Sequence, residues 1–243
     1  MSGYKALDTY FKAKDFEGHY ETVKSIHDYA NKLGKKKEFN AKDLQFFKDG
    51  KIIKASKGLQ NALSVYQTAL KSTPDWPADH TSLFYGSMLR SAEKFGVDSR
   101  EHRITQQNYL NKCVFYGKEL DVFLAQLLGR REKMHKQMKL VILMQKHCQE
   151  LHKIFFKIAH IPSIVTSAEQ LHWVVLSEGA VELTGYLSSC RSVLEQLDNT
   201  ITKTIKDYND VMKCNQQWIK WIKSADVKKV DAIKKNLKNK VPR

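Results

Sequence analysis

The sequence predicts an all-α protein, an elongated antiparallel three-helix coiled coil, on three observations. From Tyr109 to Ile158 no proline interrupts an apolar pattern that repeats every three and four residues. Across the 243 residues there are only 4 prolines and 11 glycines, and β-branched runs are scarce. The internal prolines fall at Pro74/Pro77 and at Pro162, so they cut the chain into three long helical segments.

The central segment argues most strongly. With Leu110 at heptad position a, the a and d series reads Leu110, Cys113, Gly117, Leu120, Leu124, Leu127, Arg131, Met134, Met138, Val141, Gln145, Cys148, His152 and Phe155. That series is mostly apolar, as the seam of a helix packed on other long helices must be. Val114, Leu128, Ile142 and Leu151 widen the stripe, so the helix is expected to face more than one neighbour. At about 1.5 Å per residue such a helix is a rod of roughly 75 Å.

Residues 1–15 carry Tyr4, Leu7, Tyr10 and Phe11 on one helical face, with Lys5, Lys12 and Lys14 among the polar residues. That pattern fits a short amphipathic helix lying in the headgroup layer of a membrane, with Tyr4, Leu7 and Phe11 inserted. A terminal helix docked on the bundle has the same pattern and is the commoner case. From Phe16 to Leu70 the spacing predicts a first long helix, with Gly34-Lys35-Lys36-Lys37 and Asp49-Gly50 as places where it bends or frays. The lysine run reads either as a phosphate-binding patch or as a solvated face. The helix stops in Ser72 to Ala78, because each proline lacks an amide donor and disfavours helical geometry in the residue before it. Trp76, between the prolines, is expected to cap the core.

The second helical segment begins near Asp79, a good N-cap residue. Gly96-Val97-Asp98-Ser99 marks a kink, beyond which the central helix runs to Ala159. Lys139, Lys146 and Lys153 repeat every seven residues, with Lys136 and Lys157 close by and Arg130, Arg131 and Lys133 clustered at mid-helix. A row of this kind suits a membrane or a nucleic-acid backbone, and a solvated coiled-coil flank has the same spacing. The break at His160-Ile161-Pro162-Ser163 is short, so the next helix returns antiparallel. Its loop carries Ile161, Ile164 and Val165, a tip that either packs on a neighbour or enters a bilayer. The third helix runs from about Ser163 to Ser224, with Leu187, Cys190, Leu194, Leu197, Ile201, Thr204, Tyr208, Val211, Asn215, Trp218 and Ile222 as its own seam and Lys206, Lys213 and Lys220 as a second heptad-spaced row. Residues 225–243 form a basic tail.

Net charge at pH 7 is +15. A surplus of that size points to an acidic partner: an anionic leaflet, an acidic protein or nucleic acid. No run of uncharged apolar residues is long enough to span a bilayer, and no signal-type apolar stretch follows Met1. The four cysteines, Cys113, Cys148, Cys190 and Cys214, have no C-x-x-C spacing and sit mostly on apolar faces, as buried thiols do. Phosphate loops, H-E-x-x-H, G-x-S-x-G and zinc spacings are absent. Glu132-Lys133-Met134-His135 matches the E-x-x-H of bundle di-metal sites once, without the second copy those sites need. The expectation is a non-enzyme with no metal and no cofactor.

Three long helices, broken at Pro74/Pro77 and Pro162 and carrying a basic surface, resemble a BAR domain of the sorting-nexin type. Gln106 to Met138, QQNYLNKCVFYGKELDVFLAQLLGRREKMHKQM, is similar to that family's Tyr, spaced Leu and mid-helix Arg-Arg pattern. Thr200 to Ser224, TITKTIKDYNDVMKCNQQWIKWIKS, is similar to its closing segment, in which Lys and Asp precede spaced aromatics and a late Trp. The likeness spans about Phe16 to Ser224, and these residues leave no room for the phosphoinositide-binding PX domain that precedes the BAR region in sorting nexins. It implies a homodimer or BAR heterodimer forming a curved six-helix bundle, with lysines and arginines toward anionic phospholipid, phosphoinositides among them. The implied location is cytoplasmic, peripheral on endosomal or plasma membrane.

The expected function is peripheral membrane binding with sensing or generation of curvature. Its alternative is a helical scaffold that binds proteins without lipid. Nucleic acid ranks last, because the aromatics lie at core spacing and no compact helix-turn-helix is present.

Overall fold

The computed structural model describes residues 3–36, 41–48, 50–77, 81–161 and 167–224. Among these residues there is no strand, and the all-α class is as expected. The helices are α1 (Gly3–Ala13), α2 (Asp15–Leu33), α3 (Ala41–Lys48), α4 (Lys51–Leu70), α5 (Thr81–Phe95), α6 (Arg100–Ala159) and α7 (Ser167–Ser224). The chain divides into two compact units, the first made of Met1–Pro74 with Arg130–Thr200, the second of Asp75–Gly129 with Ile201–Arg243.

In the first unit the expected single helix from Phe16 to Leu70 is replaced by a hairpin. Gly50 takes the left-handed conformation (φ 66°) just before α4, a geometry that glycine adopts without steric cost. The chain reverses between α2 and α4, and α4 then runs back along α2 and α1. The pairings fix the direction: His19 lies against Gly58, Phe16 and Tyr10 against Tyr66, and the Gly3 amide donates to Ser72 Oγ at 3.2 Å. A Cβ on Gly58 would fall 2.2 Å from the His19 ring, so a side chain there would have to displace that ring. Burial holds the His19 imidazole below its ordinary pKa.

Helix α1 is separated from α2 by Lys14, whose φ of 56° is left-handed and unusual for a side-chain-bearing residue. Tyr4, Leu7, Tyr10 and Phe11 are all buried, and α1 packs on α4 within the unit instead of standing apart as a membrane helix. The Tyr10 ring meets Tyr66 edge-on at 5.9 Å. Tyr66 is fully buried, donates to Gln137 Oε1 on α6, and has its phenol pushed up by burial.

The rest of the first unit is α6 and α7 side by side. Arg131 Nε donates to Asp198 at 2.8 Å, Gln145 to Ser188 Oγ at 3.0 Å, and His152 Nδ1 lies 2.8 Å from Ser177 Oγ. Rising numbers on one helix meet falling numbers on the other, so the pair is antiparallel, as the short break at Pro162 predicts. Helix α4 seats on α7 through Ser56 with Glu182, Gln60 with Tyr186, and Ile52 against Gly179. At one end Tyr29 stacks on Phe46 at 4.0 Å, while Phe47 meets Phe155 and Trp173 edge-on. Four helical rods, counting α1 with α2 as one, thus surround a common core here, where three were expected.

The second unit packs α5 with the first half of α6 and the last part of α7. Met88, Cys113, Trp221 and Ile222 form its core, with Tyr109, Leu110, Trp218 and Ile219 around them. Tyr208 donates to Asp121 at 2.7 Å and Asn215 Nδ2 to the Cys113 carbonyl at 3.0 Å. A Cβ on Gly117 would sit 3.0 Å from that same Nδ2. The two weak points of the predicted seams, Gly117 and Asn215, therefore occupy one place. Gly96 is left-handed (φ 83°), and Ser99 Oγ accepts the His102 amide at 3.1 Å. Residues 96–99 are accordingly a break with its own cap, beyond the expected kink. Trp76 packs on Phe123 at 4.7 Å.

The seam of α6 is rotated from the predicted one. Positions d are buried, namely Cys113, Leu120, Leu127, Met134, Val141, Cys148 and Phe155. Their partners are not positions a but Tyr116, Phe123, Arg130, Gln137, Met144, Leu151 and Ile158, three residues further on. Of the a positions, Leu124, Arg131, Met138, Gln145 and His152 are only half-buried. In the first unit the buried stripe of α6 meets α1, α2 and α4, through Arg130 with Asp8, Gln137 with Tyr66 and Glu150 with His27. Cys148 and Cys190 are buried, and burial pushes both thiols up to about 12.

Candidate functional site

The rotated seam sorts the expected lipid-facing cations into two groups. Arg130 is in the seam, 8% exposed, with Nε and Nη2 on the two carboxylate oxygens of Asp8 at 2.9 and 2.7 Å and the guanidinium over the Tyr4 ring at 5.2 Å. It is a structural fork joining α6 to α1, not a group presented to a headgroup. Arg131 is taken by Asp198, which also receives His135 Nε2 at 2.9 Å. Lys136 is exposed but tied to Glu132 at 2.8 Å, and Lys133 lies 6.0 Å over the Phe11 ring.

The second group is different. Lys139, Lys146, Lys153 and Lys157 are all exposed on one face of α6 in the first unit, with no ion pair to any described carboxylate. Large apolar side chains are exposed beside them: Ile142 at 49%, Leu143 at 43% and Phe156 at 53%. Lys206 and Lys213 are exposed on α7 in the second unit. Ile161 is half-buried, while Ile164 and Val165 lie outside the described residues, as do residues 225–243 and Lys37. Tyr4, Leu7 and Phe11, expected to insert into lipid, are the apolar contacts of α1 with the bundle, so their face is already covered. No helix among the described residues is long and apolar enough to cross a membrane.

A third arrangement was not anticipated. His27 of α2 is buried, and its Nε2 lies 2.5 Å from Glu150 Oε2 on α6. One turn before Glu150, the His147 ring lies 4.2 Å from the His27 ring, and its buried Nδ1 has no hydrogen-bond partner among the described residues. Burial first, and the neighbouring His27 second, hold the His147 imidazole below its ordinary pKa. One ligand atom from each of His27, His147 and Glu150 lies within 4.8 Å of those from the other two. The signal visible in sequence was His147-Cys148-Gln149-Glu150, a histidine and a carboxylate at i and i+3 that share a helix face. His27 is distant in sequence, and only the α2 to α6 packing supplies it.

Compared with protein-family models, with curated proteins and with solved structures, the chain matches none, so its functional reading rests on its own residues and their geometry.

Proposed function

We propose that the chain binds anionic membrane surfaces peripherally, as a BAR-like dimer that senses or generates curvature, with the exposed α6 face of the first unit toward the lipid. The observation that carries this reading is the unpaired row Lys139, Lys146, Lys153 and Lys157 interleaved with exposed Ile142, Leu143 and Phe156. Ammonium groups in such a row meet lipid phosphates, while the apolar side chains reach the boundary between headgroups and acyl chains. Near an anionic leaflet each lysine contributes about 1 kcal/mol, which falls as salt shortens the Debye length. Four lysines on one chain give modest affinity, and a dimer presenting the row twice gains by avidity. Phosphoinositides, with several phosphates on one headgroup, are the anionic lipids best matched to it. Endosomal and plasma membranes, facing the cytoplasm, carry such lipids.

The test is co-sedimentation with vesicles of graded anionic content and diameter, with mass measured by light scattering on the same sample. The reading expects a dimer whose binding rises with anionic content, weakens with salt and depends on vesicle diameter. A monomer indifferent to anionic lipid contradicts it. That outcome would favour the scaffold reading, for which Phe115 and Val122, exposed one heptad apart on α6 in the second unit, offer a protein partner an apolar surface.

A further inference from the structure

We propose that His27, His147 and Glu150 bind a divalent transition-metal ion of the zinc class, which joins α2 to α6 in the first unit. Two imidazoles and a carboxylate make a borderline ligand set that suits Zn²⁺ and excludes preference for Ca²⁺ or Mg²⁺, which take oxygen ligands. Zinc bonds of about 2.0 Å set tetrahedral ligand atoms roughly 3.3 Å apart. The separations here, from 2.5 Å up to 4.8 Å, bracket that value. His147 and Glu150 are half-buried at adjacent turns of one helix, free to adjust by rotamer, while His27 is anchored in the core.

The alternative is a pair of core histidines satisfied by hydrogen bonds, and one feature counts against it. His147 Nδ1 is buried and unpartnered, where a satisfied ring nitrogen would have a donor or acceptor. His27 Nε2 faces both the Glu150 carboxylate and the Asn31 amide nitrogen at 3.0 Å. With the proton on Nε2 both partners are served, because Nε2 donates to Glu150 while Nδ1, 3.4 Å from the same amide nitrogen, accepts from Asn31. A cation supplies the missing partner of His147 Nδ1: it takes one lone pair from each ring and one carboxylate oxygen. Three protein ligands leave a fourth position for water. Asp28 Oδ1 lies 3.6 Å from His27 Nδ1, just beyond hydrogen-bond reach.

This inference is independent of membrane binding and is tested on the full chain with Zn²⁺ alone. Calorimetric titration is expected to give one zinc per chain, lost in His147→Ala, weakened at least ten-fold in Glu150→Gln, and unchanged in His160→Ala. Cobalt in place of zinc is expected to give the visible absorption of a low-coordinate site in the parent protein and not in His147→Ala. At a hundred-fold excess of zinc over its Kd the melting temperature should rise by roughly 5–10 °C. Equal zinc binding by parent and Glu150→Gln, magnesium binding as tight as zinc, or no thermal shift would each overturn the assignment. Should His147→Ala fail to fold, the Glu150→Gln titration and the parent's thermal shift decide alone.

Discussion

Arg130 and Asp8 form a two-pronged ion pair, Nε to Oδ1 at 2.9 Å and Nη2 to Oδ2 at 2.7 Å, between the middle of α6 and the first helix of the chain. The Arg130 side chain is 9% exposed and that of Asp8 38%, so the arginine is the partner that suffers if the pair is broken. Its planar fork matches a carboxylate in a way that lysine does not.

Removing Asp8 therefore leaves a buried charge. Asp8→Ala should lower stability by about 1–3 kcal/mol in urea denaturation, and Arg130→Lys should lose a large part of the same amount. Arg130→Met should leave vesicle binding where it was, since the guanidinium is not part of the exposed face. Vesicle binding lost in a folded Arg130→Met protein would return Arg130 to the membrane row.

Two glycines predict opposite signs. A Cβ on Gly3 would lie 2.5 Å from the Thr68 carbonyl oxygen, which is backbone and cannot swing away. Gly3→Ala should push α1 off α4 and cost about 1–3 kcal/mol. Gly18, inside α2, is open: a Cβ there would meet nothing within 4 Å. Gly18→Ala should therefore gain about 0.5–1 kcal/mol from helix propensity. Thermal melts of the two variants check both.

The pairing of Asp198 with Arg131 and His135 predicts an acid dependence. Burial alone would raise the Asp198 carboxyl, but the Arg131 hydrogen bond and charge, with His135, outweigh it, and the net pKa lies below the ordinary 3.8. A carboxyl that is more acidic when folded adds stability above its unfolded pKa, and that stability is lost as pH falls through the folded value. The stability difference between the parent and Asp198→Asn should thus be largest near neutral pH and shrink below about pH 4. Urea midpoints across that range measure it, and a difference independent of pH would contradict the pairing.

Much of the fold was legible because it follows local rules. The proline breaks, the d positions of α6 and the α7 seam from Leu187 to Ile222 are patterns within single helices, and they needed no tertiary information. The fold-back of α4 was not legible, since Gly34 and Gly50 mark weak points without saying whether the chain bends or reverses there. That one reversal has wide effects. It brings α1 and α4 onto α6, where Arg130 is buried against Asp8 while Arg131 is left at the edge. From heptad spacing alone, adjacent arginines in a basic cluster cannot be told apart by partner. The lysine row from Lys139 to Lys153 stays exposed although Glu150, between Lys146 and Lys153, is held by His27 of α2. The His27, His147 and Glu150 cluster was half visible, as the spacing on α6, and half supplied by α2.

The most direct measurement of the membrane reading is vesicle affinity for Lys139→Glu/Lys146→Glu/Lys153→Glu beside the parent, at low and high salt, with circular dichroism to establish equal folding. The account predicts that the triple variant binds anionic vesicles roughly a hundred-fold more weakly at low salt, and that high salt narrows the gap. Equal affinity of a folded triple variant and the parent would contradict it.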